Sequence, residues 1–289
     1  MRYLISLWIL IAIPVSSLAS ELAPFAAFDA ASESVLNDPH DLAIGPDGHL
    51  YVADKFAGSI AILDPDTLEI VGQAETGYLP NVHDISFSPD GTTVIAVTGS
   101  GAVLVYLGFS DKSGEPVRIL AASRTEGALA HSNGTIYAMA GGTGTLIAYK
   151  GDQAVAFAEG HVGAHDVAEA PDGGIWVADN FNRRLVKYSP DLQQQMIIDD
   201  PKFGFVGPRY LDVDSFGRLI VADQDAHRIL LIDPDGPDGG TLLGVLGDGS
   251  PGMGPNKFDD PEGVHVEGNR FYFSDSDNNR IVRYSIVTN

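Results

Sequence analysis

Six residues able to carry charge or hold a metal recur at one position of a repeated pattern. They are His40, His83, Glu126, His165, Arg209 and Glu262, separated by 43, 43, 39, 44 and 53 residues. With 8 histidines in 289 residues, six positions drawn blindly would hold about 0.2 of one; these six hold three. Imidazole nitrogen with carboxylate oxygen suits Zn²⁺, Fe²⁺ or Mn²⁺, whereas Ca²⁺ takes oxygen alone. A bound Zn²⁺ lowers the pKa of its water to about 7 and so makes a base or nucleophile at neutral pH. The pattern therefore assigns His40, His83 and His165 as metal ligands, with Glu126 as fourth ligand or general base. Metal binding is expected to weaken as pH falls through the imidazole range near 6.5. Arg209, with Glu262 near it in the series, would hold an anionic substrate, since the guanidinium fork suits carboxylate or phosphate. The alternative is a polar channel mouth filled by water and hydrogen-bonded side chains.

Each of these residues opens a strand. The first copy runs His40-Asp-Leu-Ala-Ile-Gly-Pro-Asp-Gly-His-Leu-Tyr-Val-Ala-Asp54, a strand, a Pro-Asp-Gly turn and a second strand closed by Asp. Related copies begin at His83, Glu126, His165, Arg209 and Glu262. In the first unit two further strands follow, Ser59–Leu63 and a segment over 68–72. A period near forty with four strands per unit predicts an all-β, six-bladed β-propeller without a helix of consequence. The last unit lacks a fourth strand, and Pro24–Phe28 is expected to supply it by pairing with Ile281–Ile286, which hides two sheet edges. Asp41, Asp84 and Asp166 follow the three histidines. Strand neighbours point oppositely, so these carboxylates are expected off the histidine face, accepting loop N–H groups or orienting a neighbouring His.

Composition narrows the function classes. Hydrophobic residues make up 44 % and charged residues 19 %, a globular balance. The 33 Gly and 17 Pro fit many short strands and tight turns. Lys and Arg total 17 against 39 acidic residues, a net charge of −22, which argues against nucleic acid and anionic membranes as partners. There is no cysteine, so disulfides, thiolate metal sites and cysteine nucleophiles are excluded. Arg2, the apolar run Tyr3–Val15 and the small-x-small Ser17-Leu18-Ala19 read as a signal peptide over 1–19, too short an apolar run to span a bilayer. The expectation is a periplasmic or secreted protein with one domain over 20–289.

Gly247-Asp-Gly-Ser-Pro-Gly-Met-Gly254, Pro261-Glu-Gly-Val264, Phe271-Tyr-Phe-Ser-Asp275 and Asn278-Asn-Arg-Ile281 resemble the NHL repeat. Asp179–Leu185 and Asp223–Ile229 resemble its second half. The resemblance implies a propeller fold and leaves function open, since such propellers host enzymes, sensors and scaffolds. Pro39-His40-Asp41-Leu42 with Tyr51-Val52-Ala53-Asp54 also resembles the peptidyl-α-hydroxyglycine α-amidating lyase propeller. That resemblance implies a zinc role for His40 and, by the same motif, for His83 and His165. Where that family uses a tyrosine, this chain has Phe56 and Phe181, which are expected to contact substrate.

His49, His131, His161 and His227 fall in turns and are read as solvated; His265 is placed on a blade face. Asp233–Gly239 lacks the loop length and terminal Glu of an EF-hand. Gly247–Gly254 precedes no helix, and no Gly-x-Ser-x-Gly is present. The reading is therefore an exported, metal-dependent lyase or hydrolase for a small anionic or peptide substrate. Alternatives are a non-catalytic propeller binding a peptide, glycan or protein, and a calcium-dependent lactonase-like hydrolase.

Overall fold

The computed structural model describes residues 24–254 and 256–287; the signal-peptide reading of 1–19 lies outside them. The chain forms six four-stranded antiparallel sheets around a central axis. The innermost strands are Pro39–Ile44, Val82–Phe87, Thr125–Ala130, Val167–Glu169, Pro208–Val213 and Pro261–Glu267. Those of neighbouring blades touch around the ring, and the sixth meets the first. The six-bladed propeller expected from the repeat is thus the fold. The described helical segments include single 3₁₀ turns such as Asn180–Asn182 and Gln224–Ala226. Among the described residues no helix is long and apolar enough to cross a membrane.

Six apolar clusters hold the ring, one between each pair of adjacent blades. Tyr51, Ile60 and Leu79 meet Ile85, Ile95 and Leu104 between blades one and two, for example. Tyr272 and Ile281 of the last blade meet Leu42 and Val52 of the first. Closure is as expected. Ala26–Ala31 pairs antiparallel with Arg280–Ile286, with Phe28 opposite Tyr284 and Ala31 opposite Val282. Phe25 is fully buried and stacks on Phe271 at 5.7 Å between ring centroids.

A β-bulge sits at the start of the innermost strand. In blade one the register shifts between the Pro39–Asp54 and Leu42–Val52 pairs. Blades two, three, five and six shift at the same place. In blade four, His165 N donates to Ala178 O and Ala178 N donates to Asp166 O, so two residues face one. A bulge adds one residue and re-aims side chains. Two residues ahead of the rim position the backbone is left-handed in five blades: Asp38, Asn81, Arg124, Gly163 and Asp260, with φ of 65°, 52°, 48°, 66° and 57°. Aspartates closing the second strand hold this turn, as when Asp54 Oδ1 accepts from Asn37 N at 2.8 Å and Asp275 Oδ1 from Asp259 N at 2.7 Å.

Candidate functional site

The bulges deliver all six rim residues to one mouth of the channel. His40, His83, Glu126, His165 and Glu262 are buried; Arg209 is about one-fifth exposed. The His83 imidazole is anchored by Nδ1, 2.9 Å from Asn81 O, and His165 by Nδ1, 2.7 Å from Gly163 O. Both carbonyls belong to the left-handed residue two positions earlier. With Nδ1–H donating there, each Nε2 lone pair faces the channel. Both Nε2 atoms approach the same carboxylate oxygen, Glu126 Oε2, at 3.3 Å from His83 and 3.9 Å from His165. The His40 ring stands edge-on to His83, 4.5 Å between centroids. Its Nδ1 lies 2.8 Å from Glu262 Oε2, but neither atom is in hydrogen-bond geometry, and His40 Nε2 is also unpartnered.

Arg209 Nη1 lies 3.4 Å from Glu262 Oε1 and donates to Gln224 Oε1. Gln224 Nε2 in turn donates to Glu262 Oε1 and Asp260 Oδ2, each at 2.7 Å. Among the described residues, five buried polar atoms at and just below the mouth make no hydrogen bond: both His40 nitrogens, Glu262 Oε2, Arg209 Nε and the Tyr210 hydroxyl. Buried polar atoms are nearly always satisfied, so these are the atoms of the mouth with hydrogen-bonding capacity left for water or a ligand. Phe56 and Phe181 are exposed at 62 % and 69 %. Phe56 stands at the mouth beside Lys55, whose ammonium is 4.6 Å from its ring centre. The Phe181 ring covers Gly163, away from that pocket.

Burial sets the protonation states. It lowers the His40 pKa to about 3 and the His83 pKa to about 2, and holds His165 well below its ordinary range. These imidazoles are neutral at pH 7 with lone pairs available. Burial also raises Glu126, and pushes Glu262 up to about 7. Burial is the largest single effect on Arg209 and opposes its charge, but Glu262, Tyr210, Asp260 and Glu126 together outweigh it, so the guanidinium stays charged.

A second layer lies directly below: Asp41, Asp84, Gly127, Asp166, Tyr210 and Gly263. Here the expectation from strand alternation fails. Asp41 and Asp84 hydrogen-bond to each other and share the channel interior with Asp166. The bulge places two consecutive side chains, histidine and aspartate, toward the axis. Nor do the carboxylates serve the loop. Asp84 Oδ2 accepts from Ala128 N at 2.6 Å, and Asp166 Oδ2 from Leu211 N at 2.8 Å, each on the next blade's innermost strand. Burial raises Asp84 to about 7, and Asp41 and Asp166 well above the carboxylate range.

Other histidine expectations are also corrected. His161 is fully buried, between Asp179 Oδ2 at 3.2 Å and the Tyr188 hydroxyl at 2.9 Å. His131 is buried and bonds Gly173 O at 3.1 Å. His265 faces the other end of the channel, beside Asp212. Asp38, Lys55, Asp260 and Asp277 border the mouth and were not singled out. Asp38 and Asp260 carried a signal, because both stand two residues before a rim position.

The donors fit a transition metal by chemistry: neutral imidazoles, an adjacent carboxylate and orphaned buried atoms. Among the described residues no three such side chains already surround a common ion position. His83, His165 and Glu126 come together, whereas His40 turns to His83 and Glu262.

No curated protein matches the chain by sequence. Solved structures share its fold. A streptogramin B lyase is 15 % identical over 90 % of this chain and 88 % of its own, with a TM-score of 0.65. Virginiamycin B lyase from Staphylococcus aureus is 13 % identical over 89 % and 99 %, at 0.62; a catalytically inactive histidine-to-alanine variant of it holds quinupristin. The PQQ-bound aldose sugar dehydrogenase from Streptomyces coelicolor is 12 % identical over 90 % and 97 %, at 0.64. At these identities the likeness is one of fold. By sequence, residues 27–197 match the family described as a domain of unknown function (DUF5074), more than half of the chain, and the protein belongs to that family.

Proposed function

We propose that this propeller is a metal-dependent enzyme, a lyase or hydrolase, that works on a small anionic substrate at the channel mouth. The observation that carries it is the concentration of unpartnered buried polar atoms, on His40, Arg209, Tyr210 and Glu262, beside the neutral imidazoles of His83 and His165. Burying such groups without partners costs about 1–3 kcal/mol each, a cost that a bound ligand offsets. In this reading His40, His83 and His165 hold the ion, and Glu126 is the fourth ligand or general base. The ion, probed first as Zn²⁺, supplies a Lewis acid and an acidified water. Arg209 binds the substrate anion through its guanidinium, whose buried Nε makes no hydrogen bond in the fold. Phe56 walls the approach. Two of the similar propellers are lyases, and one loses activity with a single histidine, which agrees with a histidine-centred mouth. The NHL-type repeat, the likeness to amidating lyases and an extracytoplasmic location belong to the same proposal. They rest on the motifs quoted above, the absence of cysteine and the leader-like first residues.

Elemental analysis of protein purified without a histidine tag, before and after reloading at neutral pH, tests it. About one equivalent of transition metal is expected. His83→Ala and His165→Ala should each lose most of it and stay folded by circular dichroism. Less than about 0.1 equivalent after reloading removes the metalloenzyme reading and leaves the binding propeller in front.

A further inference from the structure

Beside the imidazoles, between blades five, six and one, the mouth opens into a pocket of about 320 Å³. Six of its side chains carry charge: Asp38, Lys55, Arg209, Asp260, Glu262 and Asp277. Four carboxylates therefore face two cations. Lys55 is engaged by Asp38 at 3.0 Å, and Arg209 by Glu262 at 3.4 Å. Asp260 has the neutral amide of Gln224 as its side-chain partner. Among the described residues no cation stands within ion-pair distance of Asp260 or Asp277. Glu262 is 1 % exposed and lines the pocket, and its Oε2, 2.8 Å from His40 Nδ1, makes no hydrogen bond. The carboxylates also raise one another. Burial and then Glu262 push Asp260 up to about 6, and burial with Asp259, Asp38 and Glu262 raises Asp277. The pocket thus holds two more carboxylates than cations, and its buried acceptor, Glu262 Oε2, receives no hydrogen bond although His40 Nδ1 is 2.8 Å away.

We infer that this pocket receives an ammonium group of the ligand, held by Glu262, Asp260 and Asp277, so that the substrate at Arg209 is a zwitterion. The inference rests on the reading of the mouth as a substrate site and specifies that substrate's class. An ammonium offers three donors and one positive charge. It meets the orphaned Glu262 oxygen and the two carboxylates without a cation, while the anionic end of the same molecule meets the Arg209 guanidinium. An anion lacking the ammonium would face four carboxylates offset by only two cations. Phe56, exposed beside Lys55, supplies an apolar edge for the short carbon chain joining the two ends.

Calorimetric titration of chelator-treated protein with 4-aminobutyrate, butyrate and butylamine tests the inference independently of metal and turnover. The expected result is 4-aminobutyrate binding at least about ten-fold more tightly than butyrate, or about 1.4 kcal/mol. Asp277→Asn, at the pocket edge, should reduce that preference several-fold, and Glu262→Gln should abolish it. If Glu262→Gln fails to fold, the Asp277→Asn comparison decides. Butyrate binding as well as 4-aminobutyrate overturns the inference, as does no binding by any of the three probes. Ca²⁺ binding that Asp277→Asn removes, with no amine binding, overturns it in favour of an inorganic cation. None of these outcomes bears on metal content, so failure here is distinct from failure of the metalloenzyme proposal.

Discussion

Protonation at the channel mouth is decided residue by residue, and Asp260 shows how. Its carboxyl, pushed up to about 6 by burial and by Glu262, has an ordinary value of 3.8. Between those values the folded chain holds a proton that the unfolded chain has released, so stability falls as pH rises through the window. Above about 6 the penalty is complete, and below about 4 it is absent. Asparagine keeps the oxygen that accepts from Gln224 and tolerates the left-handed backbone at φ 57°. Asp260→Asn should therefore raise Tm at pH 8 by about 2–4 °C and leave it unchanged near pH 4. Thermal melts at both pH values check this; a gain confined to pH 4 would reverse the assigned sign. The buried imidazoles run the other way. With folded pKa values of about 3 for His40 and about 2 for His83, they remove stability as pH falls below 6.5.

At the scale of the element, the bulge and the glycine beside it make the channel. In the blades led by Glu126 and Glu262 the second-layer residue is glycine. A Cβ on Gly127 would collide with the backbone oxygen of His165 and crowd Asp166; one on Gly263 would collide with His40 O and the Asp41 backbone. The obstacles are main chain of the next blade, which cannot swing aside. Gly127→Ala should cost at least about 2 kcal/mol and weaken any metal bound through His165, whose carbonyl it displaces. Urea unfolding with metal analysis of the folded fraction measures both. An alanine variant of full stability would mean that the inter-blade spacing is looser than described. The same bulge explains Asp84 and Asp166, which tie one innermost strand to the next through Ala128 N and Leu211 N.

For the whole molecule, ring closure and net charge set the balance. The strand Ala26–Ala31 completes the last blade, and Phe25 packs with Phe271, Gly244 leaving it room. Phe25→Ala should cost about 3–5 kcal/mol, far more than its place near the chain start suggests. Deleting 24–31 should bare the Arg280–Ile286 edge and promote aggregation. Chemical denaturation and light scattering read these effects; an unchanged unfolding midpoint for Phe25→Ala would mean closure contributes little. The charge of −22 makes the fold repel itself. Raising NaCl from about 10 to 150 mM shortens the screening length from about 30 to 8 Å, and Tm at pH 7 should rise by a few degrees. A Tm that is flat or falls with salt would place the stabilising ion pairs ahead of the repulsion.

What the sequence determined by itself is whatever a local period encodes. Strand–turn–strand copies every forty or so residues specify the blades, and a last unit one strand short specifies closure by Pro24–Phe28. The same alignment put His40, His83, Glu126, His165, Arg209 and Glu262 in one ring, because equivalent positions in a closed repeat meet at the axis. What only the tertiary structure decided is everything that depends on neighbours across blades. A bulge is a relation between two strands, so alternation along one strand could not place Asp41, Asp84 and Asp166 in the channel. Burial is a property of the assembled ring, so His131 and His161 looked solvated in their turns and are not. The excess of carboxylates beside Arg209 joins Asp38 to Asp260 and Asp277, more than two hundred positions further along the chain, which the ring brings together by setting its last blade against its first.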